Sequence, residues 1–418
     1  MMPERKADTL LHQMPVGRAH RRIAALCFSA WIFDFYDLIL YSFLLVPVAR
    51  ELHLTPAQSS LALGTSFLMT AAGGVLFGFV GDRYGRRPTI AATVAIYGVG
   101  TLMCAASRSL PELIVWRSIT GLGIGGGWAP GQSLIAETAP PERRASFAAF
   151  VQTGSPLGVL LAAAVSAYVE PSVGWRWTFA LSAMPAVVVM FAVLRWLPES
   201  DVWMRSGSGQ HFGRDDLGAL RPYRQMIALV FLVTLLDSQA YWFTYSWMPG
   251  YLQLTRGLTQ LAAGRRMIGM QIGAVAGYAL FGMLADRYGR RPVFCVFGMI
   301  MAVGLLPATI LWDQAIRVPG MVQGAMMAVG FGTGIWSGVA PMISELMPTR
   351  VRNTALGMIL NVTRGFQFFT PIFITAMSAH VGFAPTLALG GVFAAAGAIM
   401  IWTLPETRGR IITALDEV

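Results

Sequence analysis

A chain of 418 residues that is 55% hydrophobic and only 12% charged is too apolar for a water-facing surface, because soluble domains carry about 25% charged residues. Its net charge of +10 does not indicate nucleic acid, since the basic residues sit in short loops between apolar runs and form no patch interleaved with exposed aromatics. Cys27, Cys104 and Cys295 lie inside apolar runs, with neither metal-ligand spacing nor a disulfide framework, so no metal and no cofactor is expected.

Apolar stretches near 20 residues, each about long enough to cross a ~30 Å hydrocarbon core, recur along the whole chain. With Pro, Gly and charge as punctuation, the first six predicted helices run Ile23–Val48, Gln58–Val80, Pro88–Ser107, Pro111–Ala136, Ala145–Val169 and Trp175–Leu197. The second six run Gln225–Leu252, Arg266–Ala285, Pro292–Trp312, Val318–Ile343, Thr354–Ala379 and Phe383–Leu404. The expected organisation is a tail over 1–22, a six-helix bundle over 23–198, a linker over 199–224, a second bundle over 225–405 and a tail over 406–418. The linker contains Ser206-Gly207-Ser208-Gly209 and reads either as a joint between moving halves or as a passive spacer. The fold class is therefore all-α integral membrane, with twelve transmembrane helices in two pseudo-symmetric six-helix bundles.

Arginine placement orients the chain. With both termini in the cytoplasm, Arg18, Arg21, Arg22, Arg83, Arg86 and Arg87 fall inside, as do Arg287, Arg290 and Arg291. The opposite loops hold few basic residues, among them Arg50, Arg108, Arg176 and Arg256. This is the positive-inside asymmetry of a plasma-membrane protein, here a bacterial inner membrane.

The halves repeat. Gly78-Phe79-Val80-Gly81-Asp82-Arg83-Tyr84-Gly85-Arg86-Arg87-Pro88 returns as Gly282-Met283-Leu284-Ala285-Asp286-Arg287-Tyr288-Gly289-Arg290-Arg291-Pro292. Glu137 near Arg143-Arg144 is echoed by Glu345 near Arg350 and Arg352, and Pro198-Glu199-Ser200 by Pro405-Glu406-Thr407. A six-plus-six repeat of this kind places a cleft between the halves. The paired loops suggest a cytoplasmic gate built from Asp82, Arg83, Arg86, Arg87 and Glu137, and from Asp286, Arg287, Arg290 and Glu345. Carboxylates favour helix N-termini and cations favour C-termini, although the same arginines could serve topology alone.

The doubled Gly-x-x-x-Asp-Arg-x-Gly-Arg-Arg loop resembles the major facilitator superfamily over almost the whole chain, and Arg117-x-x-x-Gly121-x-Gly123-x-Gly125-Gly126 resembles that family's fourth-helix motif. Phe33-Asp34-Phe35-Tyr36-Asp37 and Gln152-Thr153-Gly154-Ser155-Pro156 are similar to metabolite:proton symporters. Ala240-Tyr241-Trp242 and Asn361-x-x-Arg364 are similar to sialate and carboxylate symporters. The resemblance implies alternating access with proton coupling. One departure stands out: many of those symporters carry an acid where this chain has Gly127.

Ionisable groups inside a span cost at least ~2.5 kcal/mol on insertion scales, so they face a cavity or a partner. Asp34, Asp37, Arg117, Asp237 and Arg364 are such groups. At 1.5 Å per residue, Asp37 lies about 21 Å from the cytoplasmic end of its helix and Arg117 about 9 Å from the outer end of its own, which makes them level. Asp237 and Arg364 are level by the same count, at roughly 16–18 Å. Arg117, Arg364, Asn361, Tyr41, Tyr241 and Gln271 are thus candidate substrate ligands, with Asp37, then Asp34, and Asp237 as proton-coupling candidates.

No nucleophile constellation or phosphate-cradling loop is present, so no enzymatic activity is expected. The reading is a proton-coupled importer of a small organic anion, functional as a monomer, with protons, the anion and membrane lipids as partners. A proton-coupled exporter of amphipathic compounds and a neutral-sugar carrier are the alternatives.

Overall fold

A computed structural model describes residues 11, 16–140, 143–206, 220–347 and 349–408. Most of the two expected tails, and Gly207-Ser208-Gly209 with the linker to 219, lie outside them. So do Pro141 and Pro348, and the side chains of Arg144, Arg350 and Arg352.

The first half runs α1 (Arg18–Glu51), α2 (Pro56–Tyr84), α3 (Arg86–Cys104), α4 (Leu110–Thr138), α5 (Arg144–Gln152 and Gly154–Tyr168) and α6 (Glu170–Trp196). The second runs α7 (Arg224–Leu254), α8 (Gln260–Tyr288), α9 (Arg290–Ala308), α10 (Met321–Gly332 and Trp336–Leu346, joined by a 3₁₀ turn Thr333–Ile335), α11 (Thr349–Phe366 and Phe369–Val381) and α12 (Phe383–Met400). A short helix, Asp201–Ser206, follows the first half. Among the described residues nine helical segments are long and apolar enough on their own to cross a membrane. The expected helices α3, α4 and α11 form but are not among the nine. Here α4 carries Glu112, Arg117 and many glycines, α11 carries three arginines and a break, and α3 spends two of its 19 residues on arginine. Arg86 and Arg117 are buried in protein, so hydropathy alone under-reads α3 and α4.

Helix ends follow local chemistry. Thr55 accepts from the Gln58 amide while the Gln58 side chain accepts from the Thr55 amide, with Pro56 at the first position of α2. This is a reciprocal cap. The α2–α3 and α8–α9 turns need a left-handed residue, supplied by Gly85 (φ 103°) and Gly289 (φ 101°). The first amides of α3 are then capped from the far end of the same half: Glu199 accepts from Arg86 and Arg87. Glu406 does the same for Arg290 and Arg291, at 2.8 and 3.1 Å. The Pro-Glu-Ser and Pro-Glu-Thr endings are therefore helix caps, each closing one half on itself.

Burial pushes the Glu406 carboxyl up, and the backbone amides of Arg290, Arg291, Arg408 and Thr407 more than offset it, leaving the group below the ordinary glutamate range. A folded value below the unfolded one gives stability that is complete above the unfolded pKa and lost as pH falls through the folded one. Glu406→Gln should therefore cost roughly 1 kcal/mol at neutral pH. The gap from wild type in detergent thermal melts should close as pH drops into the acid range.

Helix α6 is the least buried of the nine membrane-length segments. On α6, Trp177, Leu181, Met184, Val188 and Phe191 recur at helical spacing and are 43 to 68% exposed, an apolar stripe that fits lipid. Inside each half the second and fourth helices approach closely. A Cβ on Gly125 would lie 1.9 Å from the Thr70 carbonyl oxygen, and one on Gly330 would lie 1.8 Å from that of Met270. Only glycine allows this backbone approach.

The halves meet at the face opposite the termini. Trp247 at the far end of α7 donates to Ser60 Oγ at 3.0 Å. Gln260, at the start of α8, donates to the Phe43 carbonyl at 3.0 Å and to Ser166 Oγ at 2.5 Å. Gly264 abuts Ala167, where a Cβ would lie 2.5 Å away. That face is sealed, and the space between the halves lies on the terminus side of the seal.

Candidate functional site

The space is a cavity of about 890 Å³, its open mouth included. Its wall comes from α1, α2, α4 and α5 of one half and α7, α8, α10 and α11 of the other. Helices α5, α10 and α11 are each interrupted where they reach it, beside Ser155, Trp336 and Gln367. Irregular backbone at membrane depth is tolerated where it lines a cavity.

Trp31, Trp128, Trp242 and Trp336 dominate the lining, with Tyr241, Tyr278 and Phe35. Among the described residues Arg364 is the only charged side chain on this wall. Its guanidinium lies 5.3 Å from the centre of the Trp128 ring, a cation–π contact worth about 0.5–2 kcal/mol. No described carboxylate forms an ion pair with it. Polar groups near it on the wall are Gln367, which donates to Ser238 Oγ at 2.8 Å, and Thr363. The cavity thus joins one under-paired cation to large apolar ring faces, a combination suited to a carboxylate on a flat apolar body.

Tyr241 lines the cavity and stacks on Tyr245, centroids 4.1 Å apart and rings 6° from parallel. Gln271 does not reach the wall. It is fully buried and donates to the Tyr245 hydroxyl at 3.0 Å, so it holds the second ring of the stack. Asn361 also stays off the wall, with its Oδ1 against Gly74 of the other half.

Arg117 and Asp37 are level, as the rise per residue requires, but neither reaches the cavity. Arg117 is 0% exposed and donates to Ser66 Oγ at 3.0 Å and to the carbonyls of Asp37 and Leu38 at 3.3 and 3.4 Å. The Tyr41 ring lies under it at 5.4 Å. In this state Arg117 and Tyr41, expected as substrate ligands, pack inside the first half, because α4 turns Arg117 toward α1 and α2. Both Asp37 carboxylate oxygens are buried without a hydrogen-bond partner, and the charge that meets them is that of Arg117. The other level pair also resolves differently. The charge that reaches Arg364 is that of Asp34 in the first half, and not that of Asp237. Asp237 is buried in α7 with no ion pair among the described residues, and its Oδ2 has no hydrogen-bond partner.

Comparison with known proteins agrees with this architecture. The Major Facilitator Superfamily model matches residues 26–276 and 230–415. The chain belongs to the major facilitator superfamily. Superfamily members are transporters rather than enzymes, and this is a multi-pass membrane protein. It is 29% identical over 407 residues, 94% of this chain and 92% of the relative, to a protein of Cupriavidus pinatubonensis described as a probable 4-methylmuconolactone transporter. It is 26% identical to the niacin transporter of Acinetobacter baylyi, covering 97% of this chain and 98% of that one. The xylose transporter XylE from E. coli, in a partially occluded inward-open conformation, superposes with a TM-score of 0.77 at 18% identity. The superposition covers 94% of this chain and 100% of that structure.

The superfamily's duplicated loop builds two matching clusters. Arg86 pairs with Glu137 at 2.8 Å and with Asp82 at 3.2 Å. Arg290 pairs with Glu345 at 3.0 Å and with Asp286 at 2.7 Å. Arg87 donates to the Leu194 carbonyl, while Arg83 and Arg287 lie over the neighbouring Tyr84 and Tyr288 rings. Each named partner belongs to the same half, so in this state the clusters brace the halves individually.

The cavity residues missed in the sequence are mainly the tryptophans. Their signal was position: Trp31, Trp128, Trp242 and Trp336 sit well inside spans, whereas tryptophan in membrane helices favours the two interfaces.

Proposed function

We propose that this transporter imports small, flat organic anions together with protons. Arg364 carries the reading: an isolated cation among ring faces, in the space between two halves that must part and close. Relatives described as transporting 4-methylmuconolactone and niacin, compact unsaturated molecules, fit a cavity walled by tryptophan. With both termini in the cytoplasm of an inner membrane, as arginine placement implies, the sealed face is the outer one and the cavity is inward-facing. Alternating access then requires the Trp247–Ser60 and Gln260–Ser166 contacts to break.

Asp34 is the proton site of this reading, in place of Asp37. Its charge meets Arg364 from the other half, so protonating it changes how firmly Arg364 is held and how strongly it attracts an anion. Asp37 stays with Arg117 as a fixed pair. An anion such as muconate or nicotinate should enter proteoliposomes faster under an inward proton gradient. Asp34→Asn should lose that acceleration yet retain gradient-free exchange of labelled for unlabelled anion. A panel of aromatic acids, dicarboxylates, a sugar and a cationic dye tests the class. Sugar uptake or dye extrusion without acid uptake would overturn the reading.

A further inference from the structure

A second, smaller cleft lies beside the cavity, enclosing about 280 Å³ with its mouth included. Its walls include Asp34 and Cys27 of α1, Ile90 of α3, Gly131 and Gln132 of α4, and Val151 of α5. Asp34 lines this cleft and not the cavity. Trp31 and Trp128 line both, with ring centroids 6.4 Å apart. These two rings are the partition between the spaces. Ile90 lies in the first turns of α3 and Val151 in the first segment of α5, both of which begin at the terminus face, so the cleft runs from Asp34 toward that face.

Two glycines make the cleft. A Cβ on Gly127 would come within 3.0 Å of Asp34 Oδ2, so the missing side chain is the room the carboxylate occupies. A Cβ on Gly131, one helical turn further along, would meet nothing within 4 Å. With Gln132 beside it, that position is open and partly polar. The ionisable groups sharing the field of Asp34 are Asp37 on its own helix, Tyr97 on α3 and Arg364 on α11, with the Cys27 thiol on the cleft wall.

We infer that the cleft is a separate solvent branch through which Asp34 releases its proton to the terminus side, while the anion uses the cavity on the other side of the Trp31–Trp128 partition. This rests on the proton-coupled reading above. A water in the branch takes the proton from the Asp34 carboxyl group and leaves as hydronium; the carboxylate regains the negative charge that acts on Arg364 and competes there with the anion. Proton and anion then need not pass each other in one channel, and each can be blocked without the other. A carboxylate whose charge acts on Arg364 through a ring wall is the coupling element.

Filling the branch tests it. Gly131→Leu places a side chain in the cleft without touching the cavity wall, with Gly131→Ala as the milder companion. Gradient-driven uptake should be lost in Gly131→Leu and reduced in Gly131→Ala, with anion binding and gradient-free exchange retained, because exchange needs no net proton movement. Equal losses of driven uptake and exchange in a variant that still binds anion, or no loss of either, would overturn the inference. A substrate-free readout separates this from a failure of the anion assignment. Trp31 and Trp128 flank the carboxylate, so a stopped-flow pH jump followed by tryptophan emission should contain a phase that Asp34→Asn removes. Gly131→Leu should slow that phase in folded protein; an unchanged rate would overturn the branch even if no anion in the panel were transported.

Discussion

Arg364→Ala should abolish uptake of every anion the wild type carries while leaving expression and thermal stability close to wild type. The guanidinium stands on the cavity wall with an aromatic face as its contact and no ion pair among the described residues, so no buried partner is orphaned by its removal except the more distant Asp34. What is lost is the charge that meets the substrate. Truncating one side of a desolvated charge pair costs about 2–5 kcal/mol, so anion affinity should fall by about thirtyfold or more. Arg364→Lys should recover only part of it: an ammonium keeps the charge but loses the fork that grips both carboxylate oxygens and the plane that stacks on Trp128. Anion-induced quenching of tryptophan fluorescence measures affinity without transport. Unchanged affinity in Arg364→Ala would remove Arg364 from the site and with it the case for an anionic substrate.

The scaffold was legible because it is written in quantities that survive without coordinates: span length and the doubled Asp-Arg-Tyr-Gly-Arg-Arg loop. Depth was legible too, since Asp37 and Arg117 do meet at one level. Azimuth was not. A rise of 1.5 Å per residue fixes height, but the direction in which α4 presents Arg117 depends on how far each helix is rotated in its bundle. That rotation is set here by contacts such as Gly121 on the Ser66 carbonyl and Gly125 on that of Thr70. The same limit explains Arg364, which makes no ion pair with its level partner Asp237 and is instead under the charge of Asp34 in the other half. Tryptophans at positions 31, 128, 242 and 336 gave a usable sign by standing away from the interfaces they normally favour, and charge-centred reasoning passed over them.

Arg117→Ala should behave in the opposite way to Arg364→Ala, failing as a protein rather than as a site. Arg117 is enclosed by α1, α2 and α4, satisfies two main-chain carbonyls and Ser66, covers Tyr41 and supplies the charge that Asp37 meets. Removing it leaves the Asp37 carboxylate buried with no countercharge, a loss of 3–5 kcal/mol, which is a large share of the 5–15 kcal/mol of a typical fold. Detergent-extracted Arg117→Ala should aggregate or melt far below wild type. The decisive variant is the double substitution Arg117→Met with Asp37→Asn, which removes both charges and keeps most of the buried volume. Replacing buried opposite charges by groups of similar volume is often neutral or stabilising, and no direct salt bridge is lost here, so the double variant should regain a monodisperse profile and a melting temperature near wild type. It should also bind anion through Arg364 and respond to an inward proton gradient through Asp34. A refolded double variant that has lost the gradient response would return proton coupling to Asp37, and one that has lost anion binding would return Arg117 to the substrate site.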